Sequence, residues 1–410
     1  MLTYHYTARN PSTGQKVQAD VEADNELAAA KLIRKEGLVP IDIKSADAGL
    51  GGLTKKLNHV KAKDRVLFSR QLATLINAGL PIIQSLRSVG DQTQNKPLKL
   101  IISKVVTDVE SGSTLAKSLR KYPKVFSAVY VSLVEAGETS GTLDKSLERL
   151  AVQQEKDADI VSKIRGAMTY PIIVVLVMGA VLAFMLVKVL PQVQTLYAGL
   201  PGAQLPFITT ILLSLSHFVT KFWWVVILLI VVGVIALLRW SKTSSGKKVF
   251  DRFKMRAGPI GKLYMKVYMA RFSRTASTLV ASGVPIIQVL DITGEAVDNV
   301  YIKESLRKAT EKIKAGKALS VTLQDDPNFL SLVPQMLSIG EESGSMEQML
   351  ERAAEYYEKE VDNEVASISS IIEPILMIVL GVVALIIVAA VLLPIYGLAN
   401  QGLGSGSGGV

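Results

Sequence analysis

Two short strings hold residue types whose spacing invites a chemical reading: Gly137-Glu138-Thr139-Ser140-Gly141 and Gly340-Glu341-Glu342-Ser343-Gly344. Gly141 and Gly344 suit a turn that needs positive φ. Ser140 or Thr142 in one string, and Ser343 or Ser345 in the other, are of the type that caps a following helix. Glu138 and Glu341 then fall near that helix's N-terminus, where a carboxylate gains about 0.3–1 kcal/mol. The plain reading is a well-capped turn used twice. The sharper one is an acidic corner, flanked by Gly137 and Gly340, that meets a partner protein or a cation. Calcium takes about six or more oxygens, and neither string has that density of them.

Catalytic patterns are missing elsewhere. The nearest approach to a phosphate loop, Gly258-Pro259-Ile260-Gly261-Lys262, has the wrong glycine spacing and no hydroxyl after the lysine for magnesium. His5, His59 and His217 are scattered rather than spaced as metal ligands. The absence of Cys excludes disulfide scaffolds, thiol catalysis, iron–sulfur clusters and cysteine-ligated zinc. No Gly-x-Ser-x-Gly elbow and no His-Glu-x-x-His helix occurs. The chain reads as a non-enzyme, with no cofactor and no metal.

The corners must be held by the elements around them, and the apolar residues say what those are. Of 410 residues, 49% are hydrophobic and 20% charged, which excludes a disordered chain. Three runs carry no charge: Met168–Val187, Phe222–Leu238 and Ile375–Leu393. A hydrocarbon core about 30 Å thick takes about 20 apolar residues as helix, and soluble helices of that length keep a polar stripe. Each run is read as a transmembrane helix, at residues 168–190, 218–239 and 371–395, with Lys221 snorkelling to the interface. The first 60 residues hold no apolar run of signal-peptide length.

The net charge of +10 has a place in this scheme. Nine Lys and Arg lie between Lys242 and Arg271, opposed by Asp251 alone. The positive-inside rule makes that stretch cytoplasmic. With three spans, the N-terminus and both large polar regions are then cytoplasmic and the C-terminal tail extracytoplasmic. The positive balance is thus a topology signal plus contact with anionic membrane lipid, and nucleic acid is not needed as a partner.

The two polar regions repeat each other. Phe68-Ser-Arg-Gln-Leu-Ala-Thr-Leu-Ile-Asn-Ala-Gly-Leu-Pro-Ile-Ile-Gln-Ser-Leu86 lies over Phe272-Ser-Arg-Thr-Ala-Ser-Thr-Leu-Val-Ala-Ser-Gly-Val-Pro-Ile-Ile-Gln-Val-Leu290, with 11 of 19 positions identical at an offset of 204. Arg70 and Arg274 are aligned, as are Gly79 with Gly283 and Pro81 with Pro285. After a one-residue deletion the offset becomes 203, which aligns the two Gly-Glu-x-Ser-Gly strings, Leu147-Glu148-Arg149 with Leu350-Glu351-Arg352, and Pro171 with Pro374. Each unit is a bundle that runs into a membrane span.

Helical periodicity runs through both copies. In the first, Asp64 caps a helix bearing Leu67, Phe68, Leu72, Leu75 and Ile76 on one face, Gly79 ends it, and Pro81 opens the next. Further helices fit Pro97–Glu110, Thr114–Lys121 and about Ser127–Glu135, and the last starts near Thr142 and runs towards the bilayer. The first 48 residues differ. Strands at Leu2–Arg9 and Lys16–Val21 flank the turn Asn10–Gly14, followed by a helix at Glu26–Glu36 and a strand at Val39–Ile43. That ββαβ unit suits either a docking module or simple N-terminal packing.

The fold class is therefore an all-α membrane protein: two repeated cytoplasmic bundles of about six helices, three transmembrane helices and a small N-terminal α/β unit. The expected segments are the N-terminal unit 1–48, a Gly-rich linker 49–60 and the first bundle 61–167. A short extracytoplasmic loop 191–217 joins the first two spans. A basic cytoplasmic segment 240–264, the second bundle 265–370 and a flexible tail 396–410 complete the chain.

The tandem Phe-Ser-Arg-x-x-x-Thr-Leu-x-x-x-Gly-x-Pro-Ile-Ile-Gln units, the twin Gly-Glu-x-Ser-Gly strings, and Tyr170-Pro171 and Glu373-Pro374 at the starts of two spans resemble the PilC/GspF platform proteins. These are inner-membrane components of type IV pilus and type II secretion machines, and the resemblance runs from about Lys61 to Leu398. It implies a multi-pass protein of the bacterial inner membrane that forms a small homo-oligomer beneath a growing fibre. It also implies a hexameric cytoplasmic ATPase that turns or pushes the platform, pilin or pseudopilin subunits that are lifted into the fibre, and other inner-membrane assembly components as partners. The competing reading is a non-catalytic membrane scaffold or a transporter accessory subunit, although transporters carry midplane polar residues or broken helices.

Overall fold

The computed structural model describes residues 2–9, 11, 16–23, 26–45, 60–192, 195 and 207–404. The expected Asn10–Gly14 turn (apart from Pro11), the linker glycines Gly49, Gly51 and Gly52, residues 193–194 and 196–206 of the loop, and residues 405–410 of the tail lie outside them. The chain divides into two compact units, residues 1–65 with 90–104 and residues 66–89 with 105–410.

The first unit opens with β1 (Leu2–Arg9), β2 (Lys16–Ala23), α1 (Glu26–Lys35) and β3 (Val39–Ser45). β1 is central and antiparallel to both neighbours. The two-residue period of a strand puts Tyr6 and Ala8 on one face, where they are buried with Ile33 of α1. Pro40 sits opposite Ala8 on the edge strand β3, where a missing N–H is tolerated.

The helices that follow are α2 (Ala62–Asn77), α3 (Ile82–Gln92), α4 (Lys96–Glu110), α5 (Leu115–Arg120), α6 (Ala128–Ser140) and α7 (Leu143–Phe184). After them come α8 (Phe207–Trp240), α9 (Ser244–Arg256), α10 (Gly258–Ala281), α11 (Ile286–Val297), α12 (Val300–Lys314), α13 (Leu319–Leu323), α14 (Leu332–Ser343) and α15 (Met346–Gly404). Each copy of the repeat thus supplies six helices among the described residues, α2–α7 and α10–α15. Equivalent aromatic pairs seal both cores: Phe68 and Phe126 at 5.9 Å between ring centroids, Phe272 and Phe329 at 5.2 Å.

Several boundaries differ from expectation. Asp64 lies inside the first turn of α2, not at its cap, and accepts the Lys61 N–H at 3.3 Å and the Asn95 side-chain amide at 2.6 Å. Helix α6 continues to Ser140 rather than stopping near Glu135, because the left-handed residue that ends it is Gly141, at φ 71°. Helix α10 runs through residue 264, and α9 fills much of the basic segment ahead of it. Helix α15 continues to Gly404, past the expected end of the third span.

Three helices among the described residues are long and apolar enough to cross a membrane, carried by α7, α8 and α15. Just past α7 the chain makes a π-helical turn, Met185–Val189. Leu186 and Leu190 of this region pack with Leu213 of α8 and Ala390 of α15, so elements of all three spans meet there. The Ser216 hydroxyl donates to the Leu186 carbonyl, satisfying a backbone acceptor where water is scarce. Helix α8 departs from helical angles at Phe222 (φ −116°, ψ 23°), where its charge-free run begins.

Candidate functional site

The Gly-Glu-x-Ser strings are the last turns of α6 and α14, and only Gly141 and Gly344 lie beyond the helices, at φ 71° and 68°. The carboxylates do not serve the helix that follows. Glu138 accepts the Leu115 N–H at 2.5 Å and the Ala116 N–H at 2.9 Å, at the N-terminus of α5. Glu341 repeats this with Leu319 at 2.6 Å and Ser320 at 3.1 Å on α13, and the Ser320 hydroxyl also donates to it. Each half-buried carboxylate thus ties the end of one helix to the free amides that begin another.

The expected hydroxyl cap on α7 is absent. Thr142 makes no side-chain cap bond to α7. Ser140 instead donates to the Ala136 carbonyl and pairs with Thr142, and Ser343 pairs with Ser345 in the same way. Gly137 and Gly340 have a steric role. A Cβ on Gly137 would lie 2.7 Å from Ser146, and one on Gly340 would lie 2.9 Å from the Met346 Cα. These glycines let α6 cross α7, and α14 cross α15, at close range.

The two copies cap their short helix unequally, which gives a test. Thr114 also caps α5 through the Lys117 N–H at 3.2 Å, whereas the second copy has Ala318 there, with no side-chain cap bond. Glu341→Ala is expected to cost about 1–2 kcal/mol and Glu138→Ala about half as much, read as thermal unfolding of the purified protein. Equal losses would contradict the capping assignment.

Arg70 and Arg274 anchor the long helices. The Arg70 guanidinium on α2 reaches Glu155 of α7 at 2.6 Å through Nε and Glu148 at 2.5 Å through Nη1. Arg274 on α10 reaches Glu358 of α15 at 2.8 Å and Glu351 at 3.6 Å. The pattern is the same in both copies, since Glu155 follows Glu148 by seven residues as Glu358 follows Glu351. The hydrogen bond from Arg70 holds the Glu155 carboxyl below the usual carboxylate range, against the opposing effect of burial. Sequence reading missed these four glutamates as partners. The signal that could have found them is their heptad spacing on the two aligned helices.

Helices α7 and α15 also bond to each other. Along α7, Arg149, Lys156 and Lys163 meet Glu347 (3.6 Å), Glu358 (3.3 Å) and Asp362 (2.9 Å) of α15 in the same order, so the helices run parallel. Gln153 of α7 donates to Thr275 of α10 at 2.8 Å in a buried contact, and Arg149 donates to the Ala281 carbonyl at 2.5 Å.

The remaining residues singled out by sequence take separate places. Gly79 and Gly283 end α2 and α10 at φ 83° and 77°. Pro81 accepts the Ser85 N–H at 2.9 Å at the start of α3, and Pro285 accepts the Val289 N–H at 2.9 Å at the start of α11. Pro171 lies inside the unbroken helix α7. Glu373 and Pro374 lie inside α15, with Glu373 exposed about 40 Å along the helix from Met346. The structure therefore brings Arg70 and Arg274 to the long helices, and does not bring Glu373 to either corner.

The repeat, the spans and the corners have counterparts in known proteins. The family model described as type II secretion system protein F matches residues 68–191 and again residues 272–394. Its N-terminal domain matches residues 1–44. The chain belongs to the type II secretion system protein F family. One similar family member is the type IV pilus assembly protein PilC of Thermus thermophilus, 40% identical over 401 residues, covering 97% of this chain and 98% of the relative. PilC of Pseudomonas aeruginosa is 38% identical over 373 residues, covering 90% and 98%. The type II secretion system protein F of Pseudomonas aeruginosa is 32% identical over 409 residues, covering 98% and 100%. The two matched segments each begin at the Phe-Ser-Arg of a bundle and end just past an apolar run, so the protein F repeat includes both the bundle and its span.

Proposed function

We propose that this protein F family member is the inner-membrane platform of a fibre-assembling machine, either a type IV pilus or a type II secretion pseudopilus. In this reading a cytoplasmic hexameric ATPase bears on the two bundles, and their movement lifts pilin or pseudopilin subunits from the bilayer. One observation carries the reading. Helices α7 and α15 each run unbroken from a bundle into an apolar span, and they are bonded side by side ahead of the membrane. A helix that keeps its hydrogen bonds across the interface is a stiff rod, so turning or pushing a bundle displaces its span. The chain contributes no catalysis of its own.

The basic stretch between Lys242 and Arg271 supports a cytoplasmic position for both bundles and the N-terminus, with the C-terminus outside. Gly141 and Gly344, with Glu138 and Glu341, mark the turns where each bundle passes into its rod. These corners are the surfaces assigned to the motor. A homo-oligomer with other inner-membrane assembly components around it completes the picture. The scaffold reading predicts no such motor contact.

Affinity purification of the chain from its host's membranes in mild detergent tests this directly. The expected companions are a hexameric ATPase and a pilin-like subunit, and the identity of the latter decides between pilus and secretion. Recovery of the chain alone would favour the scaffold.

A further inference from the structure

Where α7 approaches the first span, a cavity of about 310 Å³ opens, lined by residues of α7, α9 and α10 and by Val297 and Asp298. Arg165, Lys254 and Arg271 line it, and Asp298 is the one carboxylate among the lining residues. That carboxylate is engaged by Lys247 at 2.6 Å. The Nε of Arg271 is buried with no hydrogen-bond partner, and the Asp157 carboxylate stands 3.7 Å from it. Lys254 lies over the Tyr264 ring, 5.7 Å from its centroid. Three cations and an unspent donor therefore share a cavity otherwise walled largely by apolar and aromatic side chains.

Its depth relative to the bilayer follows from the chain. Arg165 precedes Met168, the first residue of the charge-free run, by three positions, or about 4.5 Å along the helix axis. The headgroup layer on each side of the hydrocarbon is of that order of thickness. Helix α9 begins four residues after Trp240, the last residue of α8. It exposes Val249 and Phe253 (67%) among Lys248, Arg252 and Lys254, a composition suited to a membrane surface.

We propose that this cavity holds the phosphate headgroup of an anionic phospholipid from the leaflet bordering the bundles. The phosphate oxygens accept from Arg271 and pair with Arg165 and Lys254, while the acyl chains follow the apolar surface beyond Met168. Basic pockets on the cytoplasmic side of spans recognise such headgroups, and the excess of cations favours an anionic lipid over a zwitterionic one. A lipid wedged here would seat the first rod against the second bundle. The inference rests on the reading that the bundles border one bilayer face, and not on the ATPase.

The test uses the full chain in mild detergent, with lipid retention read by native mass spectrometry and stability by thermal unfolding. Phosphatidylglycerol, phosphatidylcholine and inorganic phosphate are added separately. Phosphatidylglycerol is expected to be retained at least fivefold more than phosphatidylcholine and to raise the midpoint, with no effect of inorganic phosphate. The pair Arg165→Gln and Lys254→Gln is expected to abolish that preference, and the exposed pair Lys314→Gln and Lys317→Gln to keep it. Equal retention of both lipids by the unaltered chain overturns the proposal, whether or not the variants fold. So does a matching shift from inorganic phosphate, or an unchanged preference in the Arg165 and Lys254 variant. A chain that retains phosphatidylglycerol but captures no ATPase would remove the motor coupling and leave the lipid site standing.

Discussion

Insertion of two glycines after Ile164 of α7, or after Ile368 of α15, is expected to abolish fibre assembly or secretion while the protein still accumulates in the membrane. Both positions lie between the bundle contacts and the charge-free runs. Each glycine in a helix interior costs about 1 kcal/mol relative to alanine, and two in succession also rotate everything beyond them by about 200° at 3.6 residues per turn. The bundle contacts, Lys163 with Asp362 and Lys156 with Glu358, precede the insertions in sequence and remain available. The stability of the bundles should therefore change little, whereas force applied to them no longer reaches the spans in phase. The measurement is surface fibre or secreted substrate, expected to fall at least tenfold, beside membrane levels of the protein. Normal assembly from either insertion would rule out the rod as the coupling element.

Arg274→Ala is expected to destabilise the protein by about 3 kcal/mol, within the range for breaking a buried ion pair, and Arg70→Ala by about 1 kcal/mol, as for an exposed one. The two arginines occupy the same place in the repeat, so sequence alone predicts equal effects. The difference is solvent. Side chains of Arg274 and Glu358 are 12% and 13% exposed, whereas Arg70 is 32% and its glutamates 41% exposed. Removing Arg274 leaves Glu358, which water barely reaches, with Lys156 at 3.3 Å as its remaining cation. Removing Arg70 leaves two that water can solvate. Arg274→Lys should recover only part of the loss, because a point charge cannot span Glu358 and Glu351 as the planar guanidinium does. Denaturant unfolding of the detergent-solubilised protein distinguishes these cases, and equal losses at Arg70 and Arg274 would contradict the burial argument.

The three apolar runs, the repeat and the helical character of both bundles are legible from the order of the residues. These follow from properties local to the chain: an unbroken apolar run, a 3.6-residue period, a glycine where a helix must end. Gly141 and Gly344 take positive φ because a helix stopped there needs it, and that requirement is visible in a few adjacent residues. That α7 and α15 each pass from bundle to span as one helix was legible for the same reason, although α15 continues to Gly404, past the expected end of the third span. Pro171 and Pro374, of the residue type that kinks helices, both lie inside these continuous rods.

Which groups meet follows from packing. A carboxylate near helix N-termini is attracted to any of them, and sequence proximity points Glu138 at α7. The chain places it on α5, 23 and 22 residues away, because the close crossing permitted by Gly137 turns α6 so that its last turn reaches those free amides. The glutamate partners of Arg70 and Arg274, the parallel bonding of α7 to α15 and the basic cavity beside α7 are likewise contacts between segments far apart in sequence. The energy of such contacts depends on burial and geometry, which residue types and local spacing do not specify.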